Sequence, residues 1–236
     1  MKACASLAWC GIAVSVLAGC GGGGGDPPPP PPPPATYAVR AALANLLTVG
    51  GSWTVSGTAS DGSAYSLTFG FAPAASAPFP VSGEMAERSI ETVSTNAGGV
   101  DLGSSTLTYY FHAADLAFVG IAADDGTCSS MSSNTALPAT ASPGASGALY
   151  AENDYDNCSG GTVPPDTTVG RWSLETDAAV NLLCWTQVTP GPPAAPLATI
   201  SYCFEVAADG ALGSKARVSV SSAAFSPPFS LTARNF

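Results

Sequence analysis

The sequence predicts an all-β domain, an antiparallel β-sandwich or barrel-like fold, introduced by one short helix. Two observations carry that expectation. From residue 51 onward, alternating apolar and polar residues recur in runs separated by Gly, Pro and Asp, the period-2 signature of half-buried strands. Charged residues make up only 10% of the chain, so Ser, Thr, Asn and Gly must carry most of the solvation. The segment from Ala35 to Phe236 is long enough for a single domain with a sizeable core.

The elements follow in chain order. Tyr37 to Leu47 is short, rich in Ala and Leu, and ended by Gly50-Gly51, which predicts the helix. In "SWTVSGTASDGSAYSLTFGF" one face collects Trp53, Val55, Gly57 and Ala59, and the next run collects Tyr65, Leu67, Phe69 and Phe71. Those faces coincide if Val55 opposes Phe69 across an odd-length loop at Asp61-Gly62. Further strands are expected at about 89–95, 105–111, 116–122, 170–176, 180–188, 198–206, 215–221 and 229–234. The runs "NLLCWTQV" and "ATISYCFEV" flank a Pro-rich connection that can join antiparallel strands. If Cys184 faces Cys203, Leu183 opposes Phe204 and Trp185 opposes Tyr202, which puts four large apolar side chains on one face and both sulfurs on the other. The remaining pair is then Cys128 with Cys158, bracketing a Ser/Ala/Pro-rich segment. Four cysteines permit three connectivities, and this one follows from the hairpin register.

Ahead of the domain, residues 21–34 form a tether: five glycines make a joint, and Pro27 to Pro34 favour polyproline II, a spacer of roughly 25 Å. Met1-Lys2 and the uncharged run Leu7 to Ala18 read as an export signal (1–19), since about 12 apolar residues are too few to span a bilayer. The residues Leu17-Ala18-Gly19-Cys20 resemble the lipobox of bacterial lipoproteins. That resemblance covers the targeting segment alone. It implies cleavage before Cys20, lipid on its thiol and, because Gly21 rather than Asp follows, residence in the outer membrane, facing the periplasm or the cell surface. Two or three acyl chains hold firmly, at about 0.8 kcal/mol per buried CH2. The cysteine count fits: of seven, Cys4 and Cys10 leave with the signal and Cys20 takes the lipid, leaving an even set of four in an oxidising compartment.

The formal charge of −10 and the scattered cations Arg40, Arg88, Arg171, Lys215, Arg217 and Arg234 argue against nucleic acid as a partner. His112 is the one histidine; it reads as a half-exposed strand residue, and no G-x-S-x-G elbow accompanies it. No C-x-x-C and no phosphate-binding glycine motif occurs, and no cofactor is implied. Asp124-Asp125, or Asp154 with Asp156, are the carboxylate pairs a glycoside hydrolase would need. In "AENDYDNCSGG", Asp154 and Asp156 are also the weak candidates for a loop calcium site, although Cys158, Ser159 and Pro165 break the EF-hand pattern. Trp53, Trp172 and Trp185 stand at core-like positions, whereas Tyr110, Tyr150 and Tyr155 are expected to be exposed, where they would stack on a glycan or peptide. The terminal Phe236 is shared with outer-membrane barrels, but Arg234 and Thr232 break the alternating apolar register and the expected strands are short for spanning. The expectation is a membrane-anchored envelope lipoprotein with a non-catalytic binding or structural role toward a protein or glycan ligand. The alternative is a hydrolase of an envelope or extracellular polymer acting through paired carboxylates.

Overall fold

The computed structural model describes residues 35–159, 167–191 and 196–236; the export signal, Cys20 and the tether lie outside them. One helix, α1 (Val39–Thr48), precedes twelve antiparallel strands: β1 (Gly51–Thr58), β2 (Ala64–Pro78), β3 (Met85–Ala97), β4 (Val100–Phe111), β5 (Phe118–Ala123), β6 (Cys128–Asn134), β7 (Ser146–Tyr155), β8 (Thr167–Asp177), β9 (Val180–Thr189), β10 (Ala198–Val206), β11 (Leu212–Ser222) and β12 (Phe229–Arg234). Each strand pairs with its sequence neighbour, and β12 returns to β1, so the sheet closes as an up-and-down barrel. Closure removes both free edges. The seam is short, with Ser56 opposite Arg234 and a bridge from Ala59 to Leu231. Gly57 permits it: a Cβ there would lie 2.1 Å from the Thr232 carbonyl oxygen.

Turn chemistry sets the register. Gly98 and Gly99, both at positive φ, form the two-residue turn between β3 and β4, where paired left-handed residues match strand twist. Ala178 and Ala179 do the same work between β8 and β9 at φ 48° and 65°, a strained choice for residues with a Cβ. Between β1 and β2, Val55 opposes Leu67 and Trp53 opposes Phe69. The expected Val55–Phe69 register is therefore corrected by two residues; the faces still coincide because a slip of two preserves side-chain parity. The β9–β10 hairpin has the expected register, with Cys184 opposite Cys203, Leu183 opposite Phe204 and Trp185 opposite Tyr202.

Alternation packs the inside with aromatic rings. Trp53, Phe69, Phe71, Tyr109, Phe118, Tyr150, Trp185 and Phe204 are all buried. They form a continuous cluster, with ring centroids 4.8 Å apart for Trp53–Phe204, 4.9 Å for Tyr109–Trp185 and 5.3 Å for Phe118–Tyr150. The outer face is rich in hydroxyls: Thr54 meets Thr68 at 3.0 Å, and Thr186 donates to Ser201 at 2.9 Å. This is the reverse of a transmembrane barrel, which carries its apolar band outside and its polar groups within. Strand length does not separate the two cases here, contrary to expectation, since β2 runs to 15 residues and β3 to 13. No helix among the described residues is long and apolar enough to cross a membrane.

Helix α1 covers one end. Its Val39, Ala42, Leu43, Leu46 and Leu47 are buried in the barrel core. Its polar side chains tie it to the surrounding loops: Arg40 Nε donates to Leu137 O at 2.8 Å and Asn45 Nδ2 to Gly210 O at 3.0 Å. Tyr37, just before the helix, bridges to Ala141 and accepts a hydrogen bond from Asn181 at 2.7 Å.

Both disulfides lie outside the aromatic core. Cys128–Cys158 fixes the β7–β8 connection against β6, with Cα atoms 5.0 Å apart, beside a small outer cluster of Phe79, Ala86 and Tyr110. Cys184–Cys203 crosses the β9–β10 pair with Cα atoms 3.9 Å apart. Arg217 lies over it, 3.3 Å from the Cys203 sulfur, and donates to Asp177 at 2.9 Å and to Glu175. Burial works to raise the Glu175 carboxyl, but the bonds from Arg217 and Ser173 outweigh it and hold the group below its usual range. Replacing Cys184 and Cys203 together by Ala is expected to lower stability by about 3 kcal/mol, read by urea unfolding. An unchanged midpoint would show that the β9–β10 ladder alone holds this corner.

Candidate ligand site in the barrel mouth

The two ends of the barrel differ. The helix closes one, whereas at the other the inward side chains Tyr65, Val93, Leu107, Ser129, Gln187, Ile200, Val220 and Phe229 are all partly exposed. Among the described residues they line an open mouth, ringed by the β1–β2, β3–β4, β5–β6 and β11–β12 turns. On the rim, Tyr65, Phe225, Pro227, Pro228 and Phe229 border a cleft of about 620 Å³, and Phe225 stands 62% exposed.

Polar side chains sit beneath this mouth where the sequence reading expected a loop. Residues 146–155 form β7, so Tyr150, Glu152 and Asp154 alternate onto the inner wall. Asp154 accepts from Ser129 Oγ at 2.7 Å and Thr168 Oγ1 at 3.1 Å. Tyr150 accepts from Trp185 Nε1 at 3.1 Å and Gln187 Nε2 at 2.9 Å. Glu152 is 3% exposed, and its Oε2 has no hydrogen-bond partner. It lines a cavity of about 140 Å³ with Leu107, Ile121, Ala123, Thr127, Ser129 and Gln187. Burial, with the Asp154 charge adding to it, pushes the Glu152 carboxyl up to about 8.

A second carboxyl lies on β3, four strands around the barrel from β7. Glu91 on β3 stands between Phe71 and Leu107 in the ladder and is fully buried. Tyr109 donates to its Oε2 at 2.6 Å, while Oε1 has no hydrogen bond. Burial raises this carboxyl too; the Tyr109 bond and the nearby Tyr202 hydroxyl pull the other way without overcoming it. Among the described residues, no Lys, Arg or His alternates onto the inner wall, so three carboxyls share the interior with no cation.

The residues singled out from sequence fall mostly elsewhere. Asp124 and Asp125 occupy the exposed β5–β6 turn, where Asp124 accepts from Thr106 N and Asp125 from Thr127 N and Oγ1. Asp154 faces inward and Asp156 is exposed beyond the end of β7, so neither carboxylate pair shares a cleft, and the candidate calcium ligands do not converge. His112 is half-exposed just after β4, with Nε2 3.1 Å from Glu84. Tyr110 and Tyr150, expected at the surface, are buried at 6% and 2% exposure; Tyr155 is partly exposed. Tyr110 packs beneath Phe79 of the β2–β3 turn, and Tyr150 lies inside because β7 is a wall of the barrel. Glu175, Cys184 and Cys203 bring metal-ligating atoms together, but both sulfurs are committed to the disulfide.

Comparison with protein families, with curated proteins and with solved structures returns no match.

Proposed function

We propose that this chain is a lipid-anchored outer-membrane lipoprotein whose barrel binds a small molecule through its open mouth without catalysing a reaction. One observation carries the binding role: a ring of partly exposed inward side chains at one end, above buried polar groups that lack partners, while the other end is filled by α1. Ligand sites of this kind lie in the mouths of β-barrels. The lipobox-like Leu17-Ala18-Gly19-Cys20 and the Gly/Pro tether support the anchor. Tyr37, near the start of the described residues, joins the barrel at the helix-capped end.

Two measurements test this. Cys20→Ala is expected to move the protein from the membrane to the soluble fraction; continued tight membrane association would refute the anchor. For the mouth, the low-molecular-weight fraction of a Gram-negative envelope extract is expected to raise the Tm of the native chain. Ala198→Trp, which places a large ring on the inner rim, should abolish that rise. A Tm unmoved by every fraction overturns the binding role.

A further inference from the structure

The cavity beneath the mouth has walls that accept hydrogen bonds and offer few. Ser129 donates to Asp154, Thr127 donates to Asp125, and Gln187 donates to Tyr150. Glu152 Oε2 is left with nothing to accept from. A buried polar oxygen without a hydrogen-bond partner is costly, and the side chain that carries this one lines the cavity. Once ionised the carboxylate can only accept, so its missing partner is then a donor, and no cationic side chain approaches from the inner wall among the described residues.

We propose that this cavity binds a small organic ammonium ion, with its N–H groups on the Glu152 carboxylate and its short apolar stem against Leu107 and Ile121. The inference rests on the binding role above and names its ligand class. Size agrees: about 140 Å³ is close to a cavity that accepts a benzene-sized molecule. Leu107, Ser129 and Gln187 are partly exposed, so the space is reached from the mouth. The layer below supplies aromatic faces, because Tyr150 stands two residues from Glu152 on β7 and Trp185 two residues from Gln187 on β9. An anion finds no cation on the inner wall among the described residues and meets the Asp154 charge. A calcium ion wants six to eight oxygens, whereas those of Asp154 already accept bonds from Ser129 and Thr168. The proton that Glu152 holds near neutrality leaves when the ammonium enters, since the charged carboxylate then has its counter-ion.

The test uses the full-length chain in detergent and isothermal titration with n-butylammonium, n-butanol, butyrate and calcium chloride. Butylammonium is expected to saturate one site, at least tenfold tighter than butanol, with no binding of butyrate. At pH 7 in buffers of different ionisation enthalpy, close to one proton should be released per ion bound. Glu152→Gln should weaken binding at least tenfold and abolish proton release. Ala123→Leu, which fills the cavity without touching the carboxyl, should also abolish binding, and near-ultraviolet circular dichroism confirms that each variant is folded. Equal binding by the native chain and Glu152→Gln overturns the proposal, as does equal binding of butanol, preference for calcium, or no saturable site. If butylammonium fails while an envelope fraction still raises the Tm and Ala198→Trp blocks that rise, this inference alone falls. If both fail, the binding role falls with it.

Discussion

Trp185→Ala is expected to lower stability by about 4 kcal/mol and to broaden the near-ultraviolet signature of the aromatic core. Trp185 stands at the centre of the barrel filling, with ring centroids 4.9 Å from Tyr109, 5.2 Å from Phe118, 6.2 Å from Tyr150 and 6.3 Å from Phe71. Four rings surround it, and each is anchored on a different strand, so no single shift closes the gap. The truncation also removes the Nε1–H that Tyr150 accepts. Urea unfolding of the native chain and the variant reads the difference. A loss below about 1 kcal/mol would mean that the barrel collapses around the hole, and would refute a rigidly packed interior.

Glu152→Gln has the second large effect, and it carries a sign in pH. The carboxyl has an ordinary value near 4.5 unfolded and about 8 folded. Between those values the folded state holds a proton that the unfolded state has released, so native stability falls as pH rises through the window. The slope approaches about 1.4 kcal/mol per pH unit, and the whole contribution is on the order of 4 kcal/mol. The amide cannot ionise. The variant is therefore expected to match the native chain near pH 4.5 and to exceed it at pH 8, in urea unfolding at pH 4.5, 6 and 8. Glu91 is raised as well and leaves a residual slope of the same sign in the variant. Glu175 and Asp125 are held low and act oppositely; the stability they confer is lost as pH falls below the ordinary carboxylate range, outside this window. A variant less stable than the native chain at pH 8 would show that Glu152 is ionised in the resting barrel.

Both predictions concern side chains that the sequence hides to different degrees. Trp185 was legible as a core residue because "NLLCWTQV" alternates cleanly and the cysteine pairing settles which face is which. Glu152 was not. Its segment carries Ser, Pro and several acidic residues, which lower strand propensity, and a bulge between Ala148 and Tyr150 breaks the alternation. Strands β6 and β7 were hidden together, since each is recognisable only as the partner of the other. Glu91 misleads in a different way. In "RSIETVS" the large apolar residue is Ile90, yet Ser89 and Glu91 face the interior while Ile90 is partly exposed on the outside. Ladder register with Phe71 and Leu107 decides that, against the local hydrophobic pattern.

The sequence by itself determined the all-β class, the β9–β10 register and the pairing of the four domain cysteines. Local periodicity and a Pro-rich turn suffice for these, because each depends on neighbours close in the chain. Only the tertiary structure decided that the sheet closes on itself, that α1 fills one end, and that Glu91 and Glu152 both lie inside, with no cation on the inner wall among the described residues. Closure joins β1 to β12 across nearly the whole domain, and which wall a residue faces depends on that closure. A buried carboxyl in a strand reads as a surface residue until its partner strands are in place. For that reason the mouth, and the ligand chemistry it implies, were beyond the reach of residue patterns alone.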